Sequence, residues 1–245
     1  MTKRYTAYIT IYSAIFLGWS SLAVFAVFLF FGALPVVNLG MNDTTTILFD
    51  TALSFLFFIQ HSILVRKSFR RRTTRFIPEE YYKAFYAITS GMVLLTIIVL
   101  WQKTAYSLPV MEGFMRWPFR LLFMISIAGF IWGKRSLTHF DSFGIRSLKN
   151  HLRGREPRQT PFTARGAYRW VRHPLYLFAL LMIWSSPDLT ADRLLFNLLW
   201  TLWIATGAVF EERDLVDEFG DEYREYQQKV PMLIPVKFPV DIKRI

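Results

Sequence analysis

The 245-residue chain contains no cysteine. That absence excludes a disulfide framework, a cysteine-ligated metal or iron–sulfur cluster, and a catalytic thiol of the protein's own. Charge is scarce as well. Asp, Glu, Lys and Arg make up 19% of the residues and are gathered into a few blocks. A soluble protein spreads its charge, because each surface helix needs a polar face. Histidine occurs four times, at positions far apart and without a ligand spacing such as His-Glu-x-x-His, so no metal is expected. No internal repeat and no low-complexity tract are present.

What the chain has is apolar mass: 53% of it is hydrophobic, and Phe alone occurs 24 times. The net charge of +11 would suit a nucleic-acid binder if the basic residues were interleaved with aromatics. They alternate with apolar runs instead, so nucleic acid is not an expected partner and membrane lipid is.

A spanning helix needs about 20 mainly apolar residues. Tyr8 to Leu34, Thr45 to Val65, Ala84 to Trp101 and the shorter Trp117 to Trp132 supply four candidates. The first is too long for a signal-peptide core and lacks a small-residue cleavage site, so it is expected to stay as a helix. Leu175 to Trp184 and Leu194 to Phe210 form a further pair around Ser185-Ser186-Pro187-Asp188, a turn that predicts a helical hairpin crossing as a unit. The expected fold is all-α: a polytopic membrane bundle of about five to six transmembrane helices. Residues 1–133 would carry the four N-terminal helices. Residues 134–245 would carry a polar loop, the hairpin and a tail.

The loops differ sharply in charge. Six basic residues lie between Arg66 and Arg75, ten between Lys134 and Arg172, and six after Phe210, against none from Phe31 to Thr46. This alternation places both termini and the basic loops in the cytoplasm, with a bacterial inner membrane as the expected location. Trp101, Trp117, Trp132 and Trp184 sit at predicted helix ends, where an indole straddles the interface, helix lining being the competing reading for any one of them.

The candidate site lies in the C-terminal third. His173 precedes Pro174, which disfavours helix at the histidine and suits the first turn after it. His173 therefore stands at a helix N-terminus, beside backbone N–H groups that bind anions, although a plain helix boundary would use the same residues. Glu211 and Glu212 follow the last apolar run. Neighbours on a helix point about 100° apart, so one can face the bundle while the other faces water or a basic residue. Phe219-Gly220 reads as a helix stop, and Asp221 as the cap of a short helix carrying Tyr223 and Tyr226 on one face. His61, near the end of the second span beside Gln60 and Ser62, is either a base or a hydrogen-bonded structural histidine. His139 and His151 read as loop residues.

Arg-His-Pro-x-Tyr, a hairpin, Glu-Glu-x-x-Leu, Phe-Gly-x-x-Tyr-x-x-Tyr and Val-Pro occur in that order between about Thr160 and Pro235. Together they resemble the integral-membrane methyltransferases, the superfamily of isoprenylcysteine carboxyl and phospholipid methyltransferases. Phe58-Ile59-Gln60-His61-Ser62 and Phe140-Asp141-Ser142-Phe143-Gly144 extend the likeness toward the NnrU-like branch, which includes methanethiol S-methyltransferases. The resemblance implies an enzyme that moves a methyl group from S-adenosylmethionine to a small hydrophobic acceptor, preferably a thiol such as methanethiol. It leaves open a lipid amine or an isoprenylcysteine carboxylate as acceptor, and a non-catalytic accessory role. It implies a cofactor pocket at the cytoplasmic face, with backbone contacts from Thr160, Pro161, Phe162 and Thr163 and packing by Tyr168. Arg172, His173, Pro174, Leu175 and Tyr176 match the central contact motif, and Glu211 the acidic contact. His61 and Tyr176 are the candidates for contact with the nucleophile. Where the isoprenylcysteine enzymes carry a substrate-binding arginine, this chain has Gly207, which argues against a prenylated carboxylate.

Overall fold

The computed structural model describes residues 2–34, 36–107, 111–137, 141–155 and 162–237. Among them, nine α-helices are α1 (Thr2–Phe31), α2 (Asp43–Val65), α3 (Lys67–Thr73), α4 (Glu79–Leu100), α5 (Trp117–Ser136), α6 (Ile145–Leu152), α7 (Pro174–Trp184), α8 (Ala191–Phe219) and α9 (Asp221–Lys229). No strand ladder accompanies them in the described residues. Five helices, α1, α2, α4, α5 and α8, are long and apolar enough to cross a membrane, so the fold is the expected polytopic helical bundle. The hairpin is present, but its first arm is short. Eleven residues of α7 rise about 16 Å, roughly half a hydrocarbon core.

The chain divides into two compact units. The first holds Met1–Ser107, Asp141–Gln159 and Thr190–Phe196; the second holds Leu108–Phe140, Thr160–Leu189 and Asn197–Ile245.

In the first unit α1 packs along α4, and Gly91 makes the approach close: a Cβ there would lie 3.0 Å from the Leu17 carbonyl oxygen. At one end Ala7, Ile11, Ala14, Ala84 and Leu148 form a small core. Leu148 brings α6, a helix inside what the sequence presented as a polar loop. At the other end the first turn of α8 is held by buried polar groups. Asp192 accepts hydrogen bonds from the Trp101 indole (3.3 Å), the Thr104 hydroxyl (2.8 Å) and the Thr104 N–H (3.0 Å). Arg193 donates to the carbonyls of Phe28 and Leu29, placing a cation on the unsatisfied carbonyl end of α1. Trp101 is thus fully buried against Phe28 and Phe196, the helix-lining alternative. Trp117, Trp132 and Trp184 are exposed, as interface anchors would be.

In the second unit α5 meets α7 across small residues. Ser126, Gly129 and Gly133 are buried, and a Cβ on Gly129 would stand 2.2 Å from the Phe178 ring. Gly129→Leu is therefore expected to lower stability by about 3 kcal/mol, the upper range for overpacking, read as a fall in unfolding temperature in detergent. The hairpin turn is braced from outside its own sequence. Arg116 donates to both oxygens of Asp188, at 2.7 and 2.5 Å.

The helix stop at Gly220 is as expected, with φ 60°. The cap is not: Gly220 itself is the N-cap of α9, and Asp221 pairs with Arg224 at 2.8 Å on the exposed surface. A glycine at positive φ turns the chain sharply enough that the aspartate falls inside the helix.

Candidate functional site

The last apolar run ends at Phe210, yet α8 continues nine residues further. Trp200, Ile204, Ala208 and Glu212, at four-residue steps, form one buried stripe. This register decides between the two glutamates. Glu212 turns inward, and Glu211, a step around the helix, has 46% of its side chain exposed.

Glu212 is the hub of the unit's polar interior. Its Oε1 accepts from Arg172 Nε (3.0 Å), His173 Nε2 (2.7 Å) and the Tyr223 hydroxyl (2.8 Å). Its Oε2 accepts from Gln227 Nε2 at 2.5 Å. An ionised carboxylate has lone pairs enough for all four donors. The loop before α7, the body of α8 and two turns of α9 thus meet on one side chain. Buried charge of this kind is stable only when so completely paired.

The arrangement assigns the histidine's protons. Nε2 faces an acceptor, so it carries hydrogen, and Nδ1 is the nitrogen left to act elsewhere. Nδ1 lies 3.6 Å from Glu211 Oε2, longer than a hydrogen bond. Neither atom is spent on the other. Tyr176 stacks on the same imidazole at 5.3 Å, with planes 5° apart. His173 is the N-cap and Pro174 the first residue of α7, as the sequence implied, and the first intrahelical bond runs from Leu177 N–H to His173 O. The N–H groups of Leu175 and Tyr176 precede it.

The tail secures this loop. Arg172 and His173 donate their N–H groups to the carbonyls of Pro231 and Met232, at 2.9 and 3.1 Å. The Arg172 guanidinium also reaches the carbonyls of Gln227 and Val230, and the Tyr226 hydroxyl donates to Tyr168 O at 2.6 Å. Phe162 sits at the centre of an aromatic cluster with Phe219, Tyr223 and Tyr226, at 5.3, 5.5 and 5.1 Å.

Burial first, and then the Glu211 charge, push the Tyr168 phenol up. Burial likewise raises Tyr223, ahead of its bond to Glu212, and raises Tyr226. All three stay protonated at neutral pH, so none is a base there, and the Tyr223 and Tyr226 hydroxyls act as donors. Because the folded phenols hold their protons more tightly than unfolded ones, their packing contributes fully below the ordinary tyrosine value of about 10. That contribution is lost as pH rises through the raised folded values. An absorbance titration should show late tyrosinate formation, and unfolding temperature should drop above about pH 10. Tyr223→Phe should flatten that drop.

The second unit thus brings together Phe162, Tyr168, Arg172, His173, Pro174, Tyr176 and Glu211. Thr163 is exposed. Leu175 packs on α5, where a Cβ at Gly133 would lie 3.0 Å from it, so its backbone rather than its side chain is left for a ligand. Thr160, Pro161 and His139 lie outside the described residues. His61 belongs to the first unit, where the Tyr86 hydroxyl lies 2.6 Å from its Nε2 and Phe57 packs at 5.1 Å. His151 pairs with Glu80 at 2.9 Å. Gln227 and the Pro231–Met232 carbonyls were not singled out from the sequence, and Glu212 was singled out only as one of a pair with Glu211, without a choice of which turns inward. Extending the four-residue stripe from Trp200 would have found Glu212.

The fold and this carboxylate-centred site define a polytopic membrane protein with a site built on a helical hairpin and its tail. The NnrU protein family model matches residues 51–232, and the chain belongs to that family. It is 40% identical over 201 residues to a methanethiol S-methyltransferase of a Pseudomonas strain, covering 80% of this chain and 76% of that protein. It is 34% identical to the methanethiol S-methyltransferase of Mycobacterium tuberculosis over 74% of each chain. A more distant relative, nurim of Rattus norvegicus, is 26% identical over 68% of this chain and 66% of its own. No solved structure matches the chain.

Proposed function

We propose that this protein is a membrane methyltransferase that methylates a small thiol, methanethiol, with S-adenosylmethionine as donor. The observation that carries the reading is the half-exposed Glu211 carboxylate facing His173 Nδ1 beside the first turn of α7. It lies within residues 51–232, the stretch that the NnrU family model matches. The group set fits the donor's chemistry. Glu211 suits a cation, the Leu175 and Tyr176 N–H groups suit a carboxylate, and the Tyr176 ring suits an aromatic base. Glu212 is consumed by its four internal donors and serves as the frame.

Bound S-adenosylmethionine would supply an activated methyl group, which the deprotonated thiol sulfur takes as the donor leaves as a neutral thioether. The protein's part is alignment and exclusion of water. His173 and Glu211 orient, Tyr168 and Tyr176 line, and His61 is assigned the thiol's proton. Gly207, one turn before Glu211, supports an acceptor other than a prenylated carboxylate, since no cationic side chain occupies that position. The charge asymmetry of the loops supports a cytoplasmic site in a bacterial inner membrane.

The test is methyl transfer by the purified protein in detergent, offered methanethiol, a prenylcysteine analogue and phosphatidylethanolamine in parallel. Turnover of methanethiol is expected to dominate. His173→Ala and Glu211→Ala should each weaken S-adenosylmethionine binding by about ten-fold or more, a loss of about 1.4 kcal/mol, measured by calorimetry. Failure of the unmodified protein to bind the donor would overturn the reading.

A further inference from the structure

We infer that one end of the first unit is a binding surface for anionic phospholipid headgroups, built jointly by α3 and α6. These helices are far apart in sequence, α3 ending at Thr73 and α6 beginning at Ile145, and α4 brings them together. Its first two residues are acidic, and each is taken by a different neighbour. Glu79 pairs with Arg70 of α3 at 2.6 Å, and Glu80 pairs with His151 of α6 at 2.9 Å. The start of α4 therefore sits between the two helices with its negative charge already engaged.

What the pair presents outward is positive. Arg71, Arg72 and Arg75 are exposed at α3, as are Lys149, Arg153 and Arg155 at α6. The apolar side of α6 is fixed inward by Leu148, which is completely buried, so its basic side cannot be its packing face. Phe76, next to Arg75, is 88% exposed. A bare aromatic ring among cations suits the boundary between headgroups and acyl chains. The helices flanking α3 are two of the long apolar ones, α2 ending at Val65 and α4 beginning at Glu79. That places the surface at the end of the spans, where phosphodiesters lie. The chemistry recognised is the phosphodiester anion, and its source is the lipid rather than a nucleic acid, because the cations border apolar spans and carry an exposed phenylalanine.

The purified full chain in detergent should gain several degrees of unfolding temperature from phosphatidylglycerol and little from phosphatidylcholine or inorganic phosphate. The gain should shrink as salt rises, as expected for exposed charges. The double substitution Lys149→Gln/Arg153→Gln on α6 should remove roughly half of it, as should Arg71→Gln/Arg72→Gln on α3. Equal gains from both lipids would overturn the inference. So would a larger gain from a short DNA duplex than from phosphatidylglycerol, or an α6 double variant with the full response. The unmodified chain's lipid and salt responses decide the matter even where a variant folds poorly.

Discussion

Glu212→Gln is expected to lower methyl transfer by about 10- to 100-fold, the range for losing a partner that fixes an imidazole tautomer. It should also lower stability by about 3 kcal/mol, as when one side of a buried ion pair is removed. The amide keeps the shape but brings its own N–H donors to a place already crowded with them. Arg172 loses its counter-charge at 11% exposure, and His173 Nε2 is left with at best a neutral amide oxygen in place of the carboxylate that holds its proton. Glu211→Gln, one residue away, should leave unfolding temperature nearly unchanged, because its carboxylate is half exposed and contributes little to the packing. It should weaken donor binding all the same. Thermal unfolding and calorimetry on the two variants separate frame from contact. A Glu212→Gln protein with normal stability and normal turnover would refute the hub.

His61→Ala should reduce turnover of methanethiol about 100-fold at neutral pH, the lower part of the range for general-base catalysis, with donor affinity nearly unchanged. The Tyr86 hydroxyl determines how the imidazole can serve. That hydroxyl lies 2.6 Å from Nε2 and 3.1 Å from Nδ1, and when it accepts Nε2–H the imidazole keeps the lone pair on Nδ1. When Tyr86 donates instead, Nε2 is used up. The signature of the role is its pH dependence. An ordinary thiol such as cysteine ionises near pH 8.5, so the deficit should shrink as pH rises and the acceptor ionises unaided. A structural histidine would leave a deficit that pH does not repair. An unchanged rate would remove His61 from the chemistry.

Long apolar runs made the spanning helices legible, because a helix that must hide its backbone from lipid leaves an unbroken hydrophobic record. Arg172-His173-Pro174 was legible for a local reason: proline dictates where α7 begins. Glu211 and Glu212 were legible as a pair but not individually. Which one turns inward depends on α8 continuing past Phe210 in register with Trp200, and charge at the end of an apolar run conceals that continuity. The Gln227 side chain and the carbonyls of Pro231 and Met232 carried no signal as partners, since a side-chain amide and two backbone carbonyls become specific only through what they meet. The helix α6 was hidden by its charge. Its apolar residues, Ile145, Leu148 and Leu152, are too few to stand out in a loop of ten basic residues.

The backbone bonds from Arg172 and His173 to Pro231 and Met232 also impose an order on synthesis. The loop and the hairpin leave the ribosome first, and the membrane receives them with two N–H groups still waiting for partners. Only when the chain has been made some sixty residues further do those carbonyls emerge to close the loop. An interrupted translation product lacking them would carry its spanning helices and its Arg-His-Pro motif, and still have no finished site.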